Sequence, residues 1–449
     1  MFILRFLIIY WFFSPLAWAI QNYDVIVIGA GVSGLTAANK LHKAHQKVLV
    51  LEAKDRLGGR VYTAYDWGFA TDLGASWIHG INNNPLMALL GNMRFYPNTY
   101  SDSEPQMLLQ DFALYSTNGN MAPQADKQEW AKLTADFSHY AQQQNATTSY
   151  QDMFNAYARS KQLNERQKAL LHYALVNIYT YEYAADLNVL SPNSSSVYED
   201  TDVYGKNAIL PEGYFKLFAP LSRGIQINLN QVVKQINYCK QGVEVLTQND
   251  TYHANKVIVT VPLGVLKAGK IIFNPELPKS KRVAIEKLGM GHFEKLYLLF
   301  DQVFLEKDKE WIGIVPQEPN LGFNIFNYYK YTKKPVLIFF TSGQLAQNME
   351  LQPLTDWVMV QLRKMYGNNI PNPIKSKKTF WGSDPYTLGS YSYLPFNVDK
   401  KVIRDLAESV NHQVYFAGEA TSQTGISTVH GAYQSGLRVA AEILGVDPK

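Results

Sequence analysis

A single cysteine, Cys239, stands in 449 residues, so no disulfide can form within the chain whatever its compartment. It closes the strand-like run Ile236-Asn237-Tyr238-Cys239, where a packed, inert thiol is expected. A surplus of one charge is lacking too. Lys and Arg number 42 against 38 Asp and Glu, a net charge of +4. Without a basic run, that small excess argues against a nucleic-acid partner. There is no internal repeat and no low-complexity tract. Hydrophobic residues make up 47% and charged residues 18%, the balance of a globular protein. The length exceeds one ordinary core, so two domains are expected. No metal-ligand set is expected.

Only one stretch is apolar enough to approach a bilayer span, and it lies at the start. Arg5 precedes Phe6-Leu7-Ile8-Ile9-Tyr10-Trp11-Phe12-Phe13, then Ser14-Pro15 and Ala17-Trp18-Ala19. This reads as a secretory signal peptide over 1–19, cut after Ala19. The alternative is an uncleaved anchor. Pro15 and the small residues favour cleavage, which places the mature chain in the secreted or periplasmic space with no stable membrane association. No twin-arginine pair precedes the apolar core, so any cofactor would be loaded after translocation. The sequons at Asn145, Asn193 and Asn249 are acceptors only in a host that glycosylates.

The stretch from Asp24 to Arg60 organises the rest. Tyr23-Asp24-Val25-Ile26-Val27-Ile28 reads as a strand buried on both faces. Gly29-Ala30-Gly31-Val32-Ser33-Gly34 is a G-x-G-x-x-G turn opening a helix marked by Leu35, Ala38 and Leu41. A second strand, Lys47 to Leu51, ends at Glu52. Gly29 allows the tight turn, Gly31 lets backbone approach a pyrophosphate, and Gly34 lets helix and strand pack closely. The helix N-terminus offers N–H groups to phosphate, and Glu52 falls where an acid accepts ribose hydroxyls. Strand, turn, helix, strand and acid in order indicate dinucleotide binding. Lys54-Asp55-Arg56-Leu57-Gly58-Gly59-Arg60 resembles the extension found in flavoproteins of the glutathione-reductase-like superfamily, which favours FAD over NAD.

Further along, Tyr65 to Asp72 suggests a hairpin, leading into Leu73 to Gly80. Asp126 to Gln144 and Asn164 to Tyr183 carry helical spacing, with Asn164 as N-cap and Gln167 three residues on. Strands return after Pro211-Glu212-Gly213-Tyr214, ending in the buried run Lys256 to Pro262. A second excursion holds the strand-like runs Lys295 to Phe300 and Pro335 to Phe340. Val414 to Glu419 and a helix from Thr428 to Leu444 close the chain.

Assembled, these pieces resemble the flavin-dependent amine oxidase family, which includes polyamine oxidases, monoamine oxidases, flavin histone demethylases and L-amino-acid oxidases. The motif pattern is closest to polyamine oxidases. The markers are Gly29 to Gly34, Gly58-Gly59-Arg60, Asp72 to Gly80, Val257 to Leu266, Gly289-Met290-Gly291 with Lys295, Trp381 to Tyr393, and Ala417 to Gly436. The resemblance implies an α/β Rossmann-like FAD-binding domain built from 20–94, 209–274 and 403–449. An α+β substrate domain, a mixed sheet with helices, would come from 95–208 and 275–402.

Carried over, Glu52 would hold the adenosine ribose, Arg60 the pyrophosphate region, and Val233 the adenine through its backbone. Glu419 would contact the ribityl–phosphate end, and Thr428-Val429 would lie against the flavin ring. Ser33, Ala53, Gly74-Ala75-Ser76-Trp77, Trp381 and Gly418 complete the cofactor positions beside the glycines of the first turn. Lys295 would be catalytic, holding a water beside the reactive ring nitrogen. A buried ammonium in an apolar strand demands a reason; the alternative is a strand-edge lysine reaching solvent.

On the substrate side the candidates are His79, Glu182, Tyr391 and Thr428. His79 would line a tunnel or serve as a structural histidine. Glu182 would attract a cationic chain or pair within the helical insertion. Thr428 stands where monoamine oxidases and plant polyamine oxidases have a tyrosine, leaving Tyr391 as one aromatic wall. Gly389-Ser390-Tyr391 replaces the Gly-Cys-Tyr step that carries flavin in monoamine oxidases, so FAD should be non-covalent. No arginine stands in Asp72 to Gly80 to grip a carboxylate.

The implied activity is an exported, FAD-dependent oxidation of a small amine, polyamine-like by preference. Oxygen would yield peroxide, and the imine would hydrolyse to an aldehyde. The alternatives are an L-amino-acid oxidase or a non-catalytic flavin-binding scaffold. N-terminal sequencing of exported protein should start near Ile20; an intact Met1 on membrane-bound material would support the anchor instead.

Overall fold

The computed structural model describes residues 22–98, 111–199, 202–316, 322–348 and 350–447. The N-terminal leader reading, Met1 to Ala19, lies outside them. The strand Asn22–Ile28 is buried on both faces, Val25 and Val27 in one core and Ile26 and Ile28 in another, and it has a parallel partner on each edge. Val48–Leu51 pairs along one edge and Thr251–Val259 along the other. A parallel pair needs a crossover, and the helix Val32–Lys43 supplies it.

The full sheet runs Ile272–Asn274, Val233–Cys239, Gly242–Thr247, Thr251–Val259, Asn22–Ile28, Val48–Leu51, Gln226–Asn228. Thr251–Val259 is shared lengthwise. Its first half pairs with Gly242–Thr247 and its last residues pair with Val414–Phe416. The helix Val429–Leu444 lies on Val32–Lys43, Ser435 Oγ standing 3.2 Å from Ser33 Oγ. Gly436 permits this approach, since a Cβ there would sit 2.4 Å from the Ser33 carbonyl oxygen.

A second sheet runs Lys375–Lys378, Phe293–Leu299, Val336–Ser342, Phe323–Asn327, Trp311–Ile314, Phe112–Tyr115. All its pairs are antiparallel except the last, where Trp311 stands opposite Phe112 in parallel register. Period-two alternation divides Phe293–Leu299. Leu296 and Leu298 join Leu354, Val358 and Leu362 of the covering helix Leu351–Tyr366 in one core. Tyr297, Leu299 and Phe293 belong to the opposite face, which packs with Leu73, Trp77 and Phe340. Lys295 shares that face by parity.

The hairpin expected near Tyr65–Asp72 is present as Thr63–Ala64 paired with Thr71–Asp72. Helices Gln124–Gln142, Tyr150–Ser160 and Glu165–Leu175 form the helical insertion. Asn164 caps the third as read: its Oδ1 accepts Gln167 N–H at 2.9 Å, and Gln167 Oε1 accepts Asn164 N–H at 3.1 Å.

Two expectations are corrected. The helix predicted over Asn164 to Tyr183 is interrupted by a π-turn at Val176–Thr180 and ends at Ala184, where φ is 54°. Asn177 Nδ2 donates to the Tyr173 carbonyl at 2.6 Å, so a side chain competes with the helical ladder there. Cys239 is exposed, not packed. Ile236 and Tyr238 point inward, and the residue after Tyr238 therefore points out. A bulge between Val233 and Gln235 sets that phase. Among the described residues no helix is long and apolar enough to cross a membrane.

The first turn makes a checkable contrast. A Cβ on Gly34 would sit 2.0 Å from the Gly29 carbonyl oxygen, whereas one on Gly31 meets nothing within 4 Å. Gly34→Ala is expected to cost about 3 kcal/mol, and Gly31→Ala about 0.5 kcal/mol or less. Urea unfolding of both variants, stripped of cofactor because a Cβ on Gly31 faces the cofactor space, checks the difference.

Candidate active site

A cavity of about 500 Å³ opens between the two sheets. Every residue nominated above as catalytic, cofactor-binding or substrate-binding lines it, except Gly34. Gly34 does not reach the cavity; it stands against Gly29 and Thr260, in the close-packing role read for it in the turn.

One half is built from backbone. Gly58 N–H donates to Ala30 O at 2.9 Å, and Gly31 bridges Gly58, so the two glycine turns lie side by side. Glu52 is buried at the end of its strand, accepting Ala30 N–H at 2.6 Å and Lys54 N–H at 2.9 Å. Burial pushes its pKa up, against the pull of those amides. Arg60 Nη1 donates to Glu419 Oε1 at 2.7 Å and to Ser390 O at 3.0 Å. Glu419 Oε2 accepts Ser427 N–H at 2.9 Å. The side chains assigned to the pyrophosphate region and to the adjoining ribityl–phosphate end therefore meet each other at the wall. Thr428 caps the last helix, its Oγ1 accepting Gly431 N–H at 2.9 Å, and that helix N-terminus lies on the cavity.

The other half is built from side chains. Lys295 is 4% exposed. Its ammonium donates to Asp72 O at 3.1 Å, to Gly74 O at 2.6 Å and to Ser76 Oγ. That is the full donor capacity of an ammonium, so the water-holding role that the resemblance gives Lys295 is corrected: all three N–H groups are spent on protein oxygens. Its Nζ also lies 5.2 Å from the Trp77 ring centroid. The solvent-seeking alternative for Lys295 is thereby excluded. Burial pushes the Lys295 pKa down, partly opposed by the Asp72 carboxylate, whose own pKa burial pushes up.

Trp381 Nε1 donates to Leu73 O at 3.0 Å, and Tyr391 OH donates to Tyr181 O at 2.8 Å. His79 and Glu182 both line this half. The burial of His430, and His79 beside it, lower the His430 pKa to about 4, so it is neutral at physiological pH.

Sequence reading missed several contributors. Asp72 lay inside a marker segment but received no role, although an acid flanked by Thr71 and Leu73 was a signal. Asp72 stands behind the wall, while Asn177, Tyr181, Phe293, Trp311 and Phe340 line the cavity. Only tertiary pairing brings them together, so nothing local announces them.

A flavin-containing amine oxidoreductase family model matches residues 32–444. The chain belongs to that family. It is 34% identical to Polyamine oxidase 2 of Arabidopsis thaliana, over 94% of this chain and 88% of that one. It is 34% identical to Lysine-specific histone demethylase 1 homolog 2 of the same plant, over 94% of this chain but 58% of that one. The structure of wild-type putrescine oxidase bound to putrescine superposes with a TM-score of 0.76 at 19% identity, over 95% of this chain and 99% of that one; at that identity the likeness shows the fold. The enzyme is thus an oxidoreductase acting on amines, with FAD as its non-covalent cofactor.

The residues fit that cofactor. The space above Gly31 and Gly418, where a Cβ would meet nothing within 4 Å, leaves backbone open to a bound pyrophosphate. The expected cysteine attachment point is Ser390, which bonds to the Phe293 backbone.

Lys295→Met removes three hydrogen bonds from buried oxygens, so a stability loss of about 1–3 kcal/mol is expected. In flavin-loaded protein, reduction by amine or reoxidation by oxygen should slow about 100- to 10,000-fold. Rapid mixing measures both half-reactions. If neither falls by about tenfold, Lys295 is a structural residue.

Proposed function

We propose that this chain is an exported amine oxidase with a preference for polyamines. The observation that carries the substrate reading is the second half of the cavity, where Phe293 packs against Tyr181, Phe340 and Tyr391, and Glu182, next to Tyr181 in the chain, also lines the wall. The polyamine oxidases among its relatives lend further support. The apolar run from Phe6 to Phe13 with Ala17-Trp18-Ala19 supports export.

An alkylamine with a pKa near 10 is only about 0.1% neutral at pH 7, so taking it in reactive form costs about 4 kcal/mol. Aromatic walls lower that cost by disfavouring the cation at the reacting nitrogen. A carboxylate further along favours a second ammonium. Held by the glycine turns, Glu52 and Arg60, FAD would supply the two-electron acceptor for the amine's α C–H bond, with oxygen as the final acceptor; the products are peroxide and an imine that water hydrolyses to aldehyde.

The chain's own groups position the amine. Tyr391, anchored through its hydroxyl on Tyr181 O, sets one wall. Thr428 leaves the opposite side without an aromatic ring. Trp77 and Lys295 stand together at the reacting end. Lys295, its pKa lowered by burial, exchanges a proton nearer neutrality than an ordinary lysine does. An L-amino-acid oxidase has less support, since the guanidinium in the described lining, Arg60, is tied to Glu419.

Anaerobic bleaching of the flavin by spermine, spermidine, putrescine, aromatic amines and amino acids tests this function. Bleaching by spermine or spermidine at the lowest concentrations is expected. Bleaching by amino acids alone would overturn the polyamine preference.

A further inference from the structure

The cavity continues past Lys295 along a run of rings. Trp77 and Phe340 have centroids 6.0 Å apart, and Phe340 and Trp311 have centroids 5.7 Å apart. Trp311 lines the cavity, opposite Phe112 in the paired strands. Beside it sits Glu310, 0% exposed. The indole Nε1–H of Trp311 donates to Glu310 Oε1 at 3.1 Å, and Tyr331 OH donates to Oε2 at 2.5 Å. Main-chain bonds fix the pair: Glu310 N–H donates to Asp111 O at 3.0 Å, and Asn327 N–H to Glu310 O at 2.8 Å.

Burial and the carboxylate hold the Tyr331 phenol well above its ordinary range, so it remains a donor. Two neighbouring ammonium groups have acidic partners, Lys330 on Asp111 at 3.0 Å and Lys309 on Asp308 at 3.4 Å. An indole that donates to a carboxylate gains electron density on its ring face. That adds to the quadrupole attraction of tryptophan for a cation.

We propose that Trp311, polarised by Glu310, is a subsite for the second ammonium of a diamine or polyamine whose reacting carbon lies beside Lys295. The subsite rests on the polyamine reading above. It is distinct from Glu182, which belongs to the helical insertion. Its ligand class is an alkyl chain with a cation at each end, long enough to pass Trp77 and Phe340.

The test compares 1,8-diaminooctane with octylamine, two chains of equal length differing by one ammonium. Flavin-loaded wild type, Glu310→Gln and Trp311→Phe are assayed for kcat/KM on each. Wild type should favour the diamine. Glu310→Gln, which keeps the indole and an acceptor for its N–H, should lower the diamine-to-monoamine ratio about threefold, mostly through KM. Trp311→Phe, which loses both the indole ring and the N–H link, should lower it about tenfold. If Glu310→Gln fails to fold, Trp311→Phe decides alone. A wild type with no preference for the diamine would sink the polyamine reading and the subsite together. A wild-type preference that survives in the folded variants would overturn the subsite and leave the polyamine reading standing.

Discussion

The burial of one ammonium constrains most of this structure. Lys295 sits in a strand of the second sheet, yet its three donors go to the Asp72–Ser76 segment, which follows the hairpin of the first half. An isolated buried ammonium would cost many kcal/mol, so those oxygens must hold their positions. They are held from behind. Asp72 Oδ1 accepts Tyr214 N–H at 3.0 Å and the Thr63 hydroxyl, and Tyr297 OH donates to Asp72 O at 2.6 Å. One side chain thus fixes the distance between the parts that enclose the cavity.

The Asp72 carboxylate gives that arrangement its chemical character. Burial drives both groups toward their neutral forms, lysine downward and aspartic acid upward, while their mutual attraction favours the ionised pair. Both states of the pair carry the same net charge. The cofactor half follows another rule. There the walls are main-chain amides and glycines, and the principal charges, Arg60 and Glu419, neutralise each other at 2.7 Å. A large dianionic group is met by backbone dipoles that need no reorganisation.

Features written over short stretches were legible in the sequence. The turn from Gly29 to Gly34, the acid at Glu52 and the Asn164 cap each depend on residues a few positions apart, and each stands where it was read. Cys239 failed because its facing depends on the phase of a strand, and a bulge several residues earlier resets that phase. The π-turn at Val176–Thr180 failed because apolar spacing continues through it; an asparagine bonding back to its own helix marks the break. The substrate walls were hidden for a topological reason. Phe112 and Trp311 are almost 200 positions apart and become neighbours only through a parallel strand pair.

Thr428 shows how the two halves limit each other. Its hydroxyl donates to Gly425 O at 2.8 Å and accepts Gly431 N–H at 2.9 Å, so it secures both the preceding turn and the start of the final helix. A tyrosine there would add an aromatic ring to the cavity wall. It would also remove a cap worth about 1 kcal/mol from the helix whose N-terminus faces the cofactor. Gly425 and Gly431 leave no slack, since a Cβ on Gly431 would sit 1.8 Å from the Gly425 carbonyl oxygen. The open wall beside Tyr391 is therefore tied to the packing of the cofactor half.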